Sequence, residues 1–329
     1  MKRIRTIASL KFLLLLHLII VSIVLPVQAR DAFSIPTPPQ QPTLGPGGSE
    51  YSHEGVRQTR YGTGVHQFWI FEPADPTPAS APLIVFNHGW GGIFPFFYEA
   101  WITHLVKRGN IVIYPRYQMT LLIGVWNATQ NAITAVQQAI AVLQDGGHVL
   151  PELAHFAIVG HSLGGGMTAE MAVLAESNQL PVPKAVMPVQ PYLQENAMMN
   201  DFHDMPADTL LLVVVGEDDV VAGDAAAKVI YETSDRIPDS RKNYVIQRTD
   251  RYGQPDLKAG HSAPLCIPDT DLVDAMDYYS TWKLFDGLTD YAFYGIHQEY
   301  CLGNTPALRF MGLWSDGTPV RELLVPEHP

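Results

Sequence analysis

The chain has 329 residues, 47% of them hydrophobic and 16% charged, with a formal net charge of −12. That length and apolar content can bury a full core, which excludes both a disordered chain and a miniature scaffold held mainly by disulfides. The acidic balance argues against nucleic acid as a partner.

The first 29 residues carry Lys2, Arg3, Arg5 and Lys11, then an apolar run over 12–25, then small residues around Val27, Gln28 and Ala29. This is the layout of a secretory signal. The run is shorter than the ~20 residues that span a bilayer, and His17 interrupts it. A secreted, periplasmic or cell-surface location is expected, with membrane contact only through this segment if it stays uncut. Its removal takes four basic residues and no acidic one, leaving the mature chain more negative still. Residues 30–50 contain Pro36, Pro38, Pro39, Pro42 and Pro46 among glycines and show no hydrophobic period, so a linker is expected there.

The remainder, 51–329, reads as one domain. Short β-rich runs at 66–71, 83–86, 111–114, 156–159, 185–189 and 210–215 alternate with segments of helical period at 98–107, 128–143, 163–176, 225–233 and 271–285. Such alternation predicts an α/β fold: a mostly parallel central sheet with helices on both faces. No solenoid-like repeat is visible.

Chemistry gathers where these strands end. The strand at 83–86 runs into Asn87-His88-Gly89-Trp90-Gly91-Gly92, a loop able to present a backbone N–H without side-chain obstruction. Residues 117–126 are too apolar for an ordinary exposed loop, and predict either the lining of an acyl or alcohol pocket or a buried helix. Next comes Gly160-His161-Ser162-Leu163-Gly164-Gly165-Gly166, a serine between glycines at a strand-to-helix junction. Such a turn strains the serine backbone and needs small neighbours two positions away on each side. Ser162 is the candidate nucleophile, and the amides of Trp90 and Leu163 are candidate donors to an oxyanion. The connection 191–208, with Met198, Met199, Phe202 and Met205, is too short for a separate lid, so no large cap domain is expected.

A serine hydroxyl needs a base, and the base needs an orienting acid. The apolar strand at 210–215 ends in Gly216-Glu217-Asp218-Asp219, where Asp219 is the candidate acid and Asp218 the alternative. His261, in the loop 258–264, is the candidate base; His297 adjoins Cys301 and His328 sits in the tail. His88 and His161 read as scaffold. The only cysteines, Cys266 and Cys301, predict a disulfide in an exported chain. Histidine and cysteine spacings show no metal-ligand pattern, and no cofactor fingerprint is present, so no metal and no cofactor are expected.

Through residues 88–92, 160–165 and 216–222, the chain resembles the α/β-hydrolase superfamily over about residues 65–285. Within it, the single-domain secreted esterases of the cutinase, chlorophyllase and dienelactone-hydrolase-like groups look most similar. The order Ser162, Asp219, His261 is the order of that architecture. Asp219-Val220-Val221-Ala222 is similar to the acid turn of bacterial cutinases, a group in which a C-terminal disulfide also occurs. The resemblance implies a serine carboxylic ester hydrolase that forms an acyl-enzyme without a cofactor, on a small-molecule, lipid or polyester substrate. Dienelactone hydrolases use a cysteine nucleophile, and Ser162 departs from them. Two other readings stand beside it: an interfacial lipid or phospholipid deacylase, and a non-catalytic binding module on the same fold.

Overall fold

Alternate residues of the central strands belong to different cores. In β3 (Ser80–Asn87), Ile84 and Phe86 join one apolar cluster while Leu83 and Val85 join another. A strand buried on both sides needs apolar residues throughout, which is why these segments read as continuous hydrophobic runs. The computed structural model describes residues 35–120, 126–195, 198–266 and 273–329; the expected signal at 1–29 lies outside them. Its strands are β1 (Gly55–Tyr61), β2 (Phe68–Ala74), β3, β4 (Ile111–Pro115), β5 (Leu150–His161), β6 (Ala185–Val189), β7 (Leu210–Gly216) and β8 (Lys242–Gln247). They form an eight-stranded sheet in the order β1-β2-β4-β3-β5-β6-β7-β8. β2 runs antiparallel to both β1 and β4, and all later pairings are parallel.

Helices α1 (Glu99–Lys107) and α5 (Trp282–Tyr294) cover one face; α2 (Ala128–Gln144), α3 (Leu163–Leu174) and α4 (Ala225–Thr233) cover the other. In α2 the buried positions Ala128, Ala132, Ile133, Ala135, Val136, Ala139 and Leu143 trace one helical stripe. A short α6 (Pro306–Arg309) lies near the C-terminus. Among the described residues no helix is long and apolar enough to cross a membrane.

Two strands escaped the pattern of the sequence. β1 is a half-exposed edge strand rich in arginine, and β8 buries Lys242, Asn243 and Gln247. Each of those side chains donates to a partner: Lys242 Nζ to Tyr231 O, Asn243 Nδ2 to Gly303 O, and Gln247 Nε2 to Ser280 Oγ. The last long helix also runs later than expected, because a π turn at Asp277–Thr281 leads into α5.

Residues 36–50 are part of the domain rather than the expected linker. The domain starts at Pro36, and backbone carbonyls of this segment are taken up by distant donors: Gln254 N–H to Pro36 O at 2.8 Å and Ser315 N–H to Thr37 O at 3.0 Å. Prolines hold the backbone extended and leave carbonyls free for such partners, so a composition that lacks periodicity still packs. The segment is pinned by Gly47 N–H donating to Asp286 Oδ2 at 2.7 Å. Asp286 also receives His104 Nε2 at 2.8 Å and Arg108 Nε at 3.2 Å. Burial alone would raise its carboxyl, but the Arg108 charge and the His104 contact hold it below the usual range.

The expected disulfide is absent: Cys266 and Cys301 are free thiols. Each is held by local partners instead. Cys266 Sγ lies 3.4 Å from Phe96 O and accepts Ala100 N–H at the start of α1. Cys301 is fully buried and donates to Gln298 O at 3.4 Å.

Two outcomes are expected. Asp286→Asn leaves Arg108 facing a neutral amide and should cost about 3 kcal/mol in denaturant unfolding; a loss below about 0.5 kcal/mol would show that the pin is dispensable. A thiol reagent should modify Cys266 alone in the folded protein and both cysteines once it is unfolded without reductant. Unfolded protein that takes up no reagent would restore the bridge.

Candidate active site

β5 ends at His161 and α3 begins at Leu163, so Ser162 forms the entire turn between them. Its backbone, at φ 57° and ψ −123°, lies where side chains are rarely tolerated. Hydrogen bonds hold it there: Ser162 N–H donates to Val189 O at 3.0 Å, and its carbonyl accepts from Gly165 and Tyr192, each at 2.9 Å. The glycines are required by close approach. A Cβ on Gly160 would sit 2.4 Å from Gly164 O, and one on Gly164 would sit 2.4 Å from the carbonyl oxygens of Asn87 and His88. The turn is thereby pressed against the loop that leaves β3.

Ser162 Oγ lies 2.9 Å from His261 Nε2, and His261 Nδ1 lies 2.8 Å from Asp219 Oδ2. The other oxygen of Asp219 accepts the backbone N–H groups of Val221 and Ala222, both at 2.9 Å. Asp219 is thus tied on one side to its own turn and on the other to the imidazole. Asp218 faces elsewhere, taking Thr249 Oγ1 at 2.8 Å and Arg251 Nη2 at 2.7 Å. The Thr249 hydroxyl and the Arg251 charge hold its carboxyl below the usual range. Thr249 Oγ1 in turn accepts Ala259 N–H at 3.0 Å, so Asp218 braces the loop that carries His261. His297 is bound to Asp290 at 2.9 Å, and His328 is exposed.

The two candidate oxyanion donors have different origins. Leu163 contributes the first amide of α3, which has no partner within the helix and lies at its positive end. In the loop after β3, Gly89 N–H donates to Tyr98 Oη at 2.9 Å, Gly91 N–H to Gln118 Oε1 at 2.9 Å, and Gly92 N–H to Gly89 O at 3.0 Å. The intervening Trp90 amide is bound to no acceptor among the described residues. His88 props this loop. Its ring lies 2.7 Å from Gly89 O and 2.8 Å from Arg116 O and stacks on Tyr117 at 4.0 Å between centroids. Burial lowers it to about 4, so it stays neutral. His161 is buried too: Nδ1 is 2.8 Å from Tyr98 Oη and Nε2 is 3.2 Å from Gln190 Oε1, with burial first and the nearby His261 second lowering it to about 3.

Most of the apolar run expected to line a pocket or form a buried helix, residues 121–125, lies outside the described residues. Tyr117 is buried with its hydroxyl on His88 O, Gln118 holds Gly91, and Trp126 is exposed. Tyr117 and Gln118 therefore support the glycine loop from behind. In the connection 191–208, Phe202 and Met205 are buried in the core against β6 and β7 instead of forming a cover. A cavity of about 600 Å³ opens beside the His261 loop, with Gly260 and Ser262 in one wall and Pro38 to Gln41 in another. Among the described residues no group of His, Cys, Asp or Glu is arranged to hold a metal ion.

Sequence reasoning missed Tyr98, Gln118 and Gln190. The one available signal was Gln190, a lone amide directly after the apolar strand β6.

The family model for chlorophyllases matches residues 56–199. That span takes in the glycine loop after β3 and the turn at Ser162; Asp219 and His261 lie beyond it. No individual curated protein matches the chain. With the sheet order and the serine turn already described, the match supports the α/β-hydrolase fold, and the chain is similar over residues 56–199 to the chlorophyllase family of that superfamily.

Proposed function

We propose that the protein is an exported serine carboxylic ester hydrolase that works through an acyl-enzyme. The observation that carries this reading is the unbroken line Ser162 Oγ, His261, Asp219, with contacts of 2.9 and 2.8 Å, at a strained turn. Neutral His261 takes the Ser162 proton on Nε2 as Oγ bonds to the ester carbonyl carbon. Asp219 fixes the Nδ1–H tautomer and stabilises the imidazolium that forms. The charge that builds on the carbonyl oxygen faces the amides of Leu163 and Trp90. The imidazolium then gives its proton to the departing alkoxide, and water repeats the sequence on the acyl-serine. Export belongs to the proposal through residues 1–29 alone.

The acyl and alcohol groups it takes are apolar. Trp90, Tyr192, Val220 and Val221 are all exposed on loops that follow β3, β6 and β7, the strand ends that also carry the chemistry. Val220, adjacent to Asp219, is 94% exposed. The same observation supports a second reading, deacylation of lipid at an interface, in which these side chains meet the aggregate.

p-Nitrophenyl esters of graded acyl length test the first reading. Turnover should fall roughly 10⁴-fold or more in Ser162→Ala, and a fluorophosphonate should label Ser162 in the folded protein only. Folded protein that neither hydrolyses any ester nor takes the label is a binding module. A rate that jumps above the substrate's aggregation threshold favours the interfacial reading, and a smooth curve removes it.

The two buried histidines set a pH dependence of stability. His88 and His161, at about 4 and about 3, stay neutral near pH 7. In the unfolded chain both bind protons near 6.5. Between those values the unfolded form holds more protons, so stability is lost as the pH falls below about 6.5. Melting temperature should decline from pH 7 to pH 4, less steeply in His161→Gln; equal slopes would contradict the assignment.

A further inference from the structure

Gly89, His161 and Gly260 each precede a residue of the proposed machinery by one position: Trp90, Ser162 and His261. They come from the loop after β3, the end of β5 and the loop that carries His261. One hydrogen-bonded chain links them: Gly89 N to Tyr98 Oη at 2.9 Å, Tyr98 Oη to His161 Nδ1 at 2.8 Å, His161 Nε2 to Gln190 Oε1 at 3.2 Å, and Gln190 Nε2 to Gly260 O at 2.8 Å. Both ends are backbone groups of fixed sense, since an amide N–H only donates and a carbonyl only accepts. The direction of every link follows. Gln190 donates to Gly260 O, so its oxygen accepts His161 Nε2–H; His161 Nδ1 is then the acceptor for the Tyr98 hydroxyl, whose oxygen accepts Gly89 N–H.

We infer that Tyr98, His161 and Gln190 are positioning residues that set the oxyanion loop, the serine turn and the His261 loop relative to one another. This rests on the ester-hydrolase reading above. The chain has little slack. A Cβ on Gly89 would lie 3.1 Å from Tyr98 Oη and 3.3 Å from His161 Nδ1, and one on Gly216 would lie 2.6 Å from Gln190 Nε2 and 2.4 Å from Ala259 O. Gln190 itself is held at φ 45°, a conformation that L residues rarely adopt, with its N–H on Val214 O at 2.7 Å. A strained residue kept in place by buried contacts is characteristic of working sites. The neutral state of His161 matters as well, because its ring lies 4.7 Å from that of His261, centroid to centroid, and a second imidazolium there would oppose the one formed in catalysis. Asp219 and the Ser162 hydroxyl face the His261 ring, and the Tyr98 hydroxyl, the Gln190 amide and the His261 backbone face that of His161.

The test compares Tyr98→Phe, Gln190→Leu and their double variant with wild type, measuring kcat and KM per active site titrated with a fluorophosphonate. Misplacement of reacting groups by about 1 Å costs on the order of 10²-fold. Each single variant should lose ~10- to 100-fold in kcat with KM within about threefold, and the double should be little worse than the poorer single, because cutting either end uncouples the same loops. Gln190→Glu supplies a second readout. Its carboxylate keeps the acceptor for His161 but opposes Gly260 O until it is protonated, so its kcat relative to wild type should rise as the pH is lowered. Variants that lose only thermal stability, with kcat per titrated site within about twofold of wild type, overturn the inference, as do single losses that multiply in the double. A wild type without Ser162-dependent turnover sinks the ester-hydrolase reading and this one with it. An active wild type with indifferent variants sinks this one alone.

Discussion

The strained backbone of Ser162 is the constraint on which the rest of the site depends. A residue held at φ 57° stores on the order of 1–3 kcal/mol, and it persists only where its surroundings leave no alternative. Here the surroundings are the end of β5 on one side, buried from Phe156 to His161 between β3 and β6, and the glycines of α3 on the other. Because Gly164 packs directly against the carbonyls of Asn87 and His88, the serine turn and the loop after β3 share a contact that no larger residue could make. The Leu163 amide and the Trp90 amide are therefore positioned by the same close approach that strains the serine.

Charge is handled by separation. Consecutive carboxylates at 217–219 would repel one another if all pointed one way, and each instead has its own partner: Glu217 with Arg321, Asp218 with Arg251 and Thr249, Asp219 with His261. Asp219 alone is buried, at 6% exposure, where its interaction with an imidazolium is least weakened by solvent. Around it, His88 and His161 are kept neutral by burial and act through hydrogen bonds. The His261 loop is thus braced twice: Asp218 acts through Thr249 on Ala259, and Gln190 acts on Gly260.

The ends of the domain show why composition misled. Composition predicts a linker across the proline- and glycine-rich residues 30–50 and a bridge between Cys266 and Cys301. In the fold the prolines expose carbonyls that the residues near 254 and 315 use, and Asp286 anchors Gly47 from α5. Cys301 meets a backbone carbonyl a few residues away, Cys266 meets carbonyls in the turn just before α1, and neither meets the other.

What the sequence determined by itself is what depends on neighbours along the chain. Hydrophobic runs marked β3 to β7 because strands buried on both faces cannot be polar, and helical stripes marked α1 to α4 for the same reason of burial. The glycine spacing around Ser162 marked the serine turn because its steric requirement is local. Tertiary structure decided everything that required choosing a distant partner: that Asp219 and not Asp218 meets His261, that polar β8 joins the sheet, that residues 117–118 support the glycine loop, and that Tyr98 and Gln190 flank His161. A hydrogen-bonding side chain has the same appearance in sequence whether it faces water or, like Gln190, a backbone group seventy residues away, and only the fold fixes which groups are left without solvent.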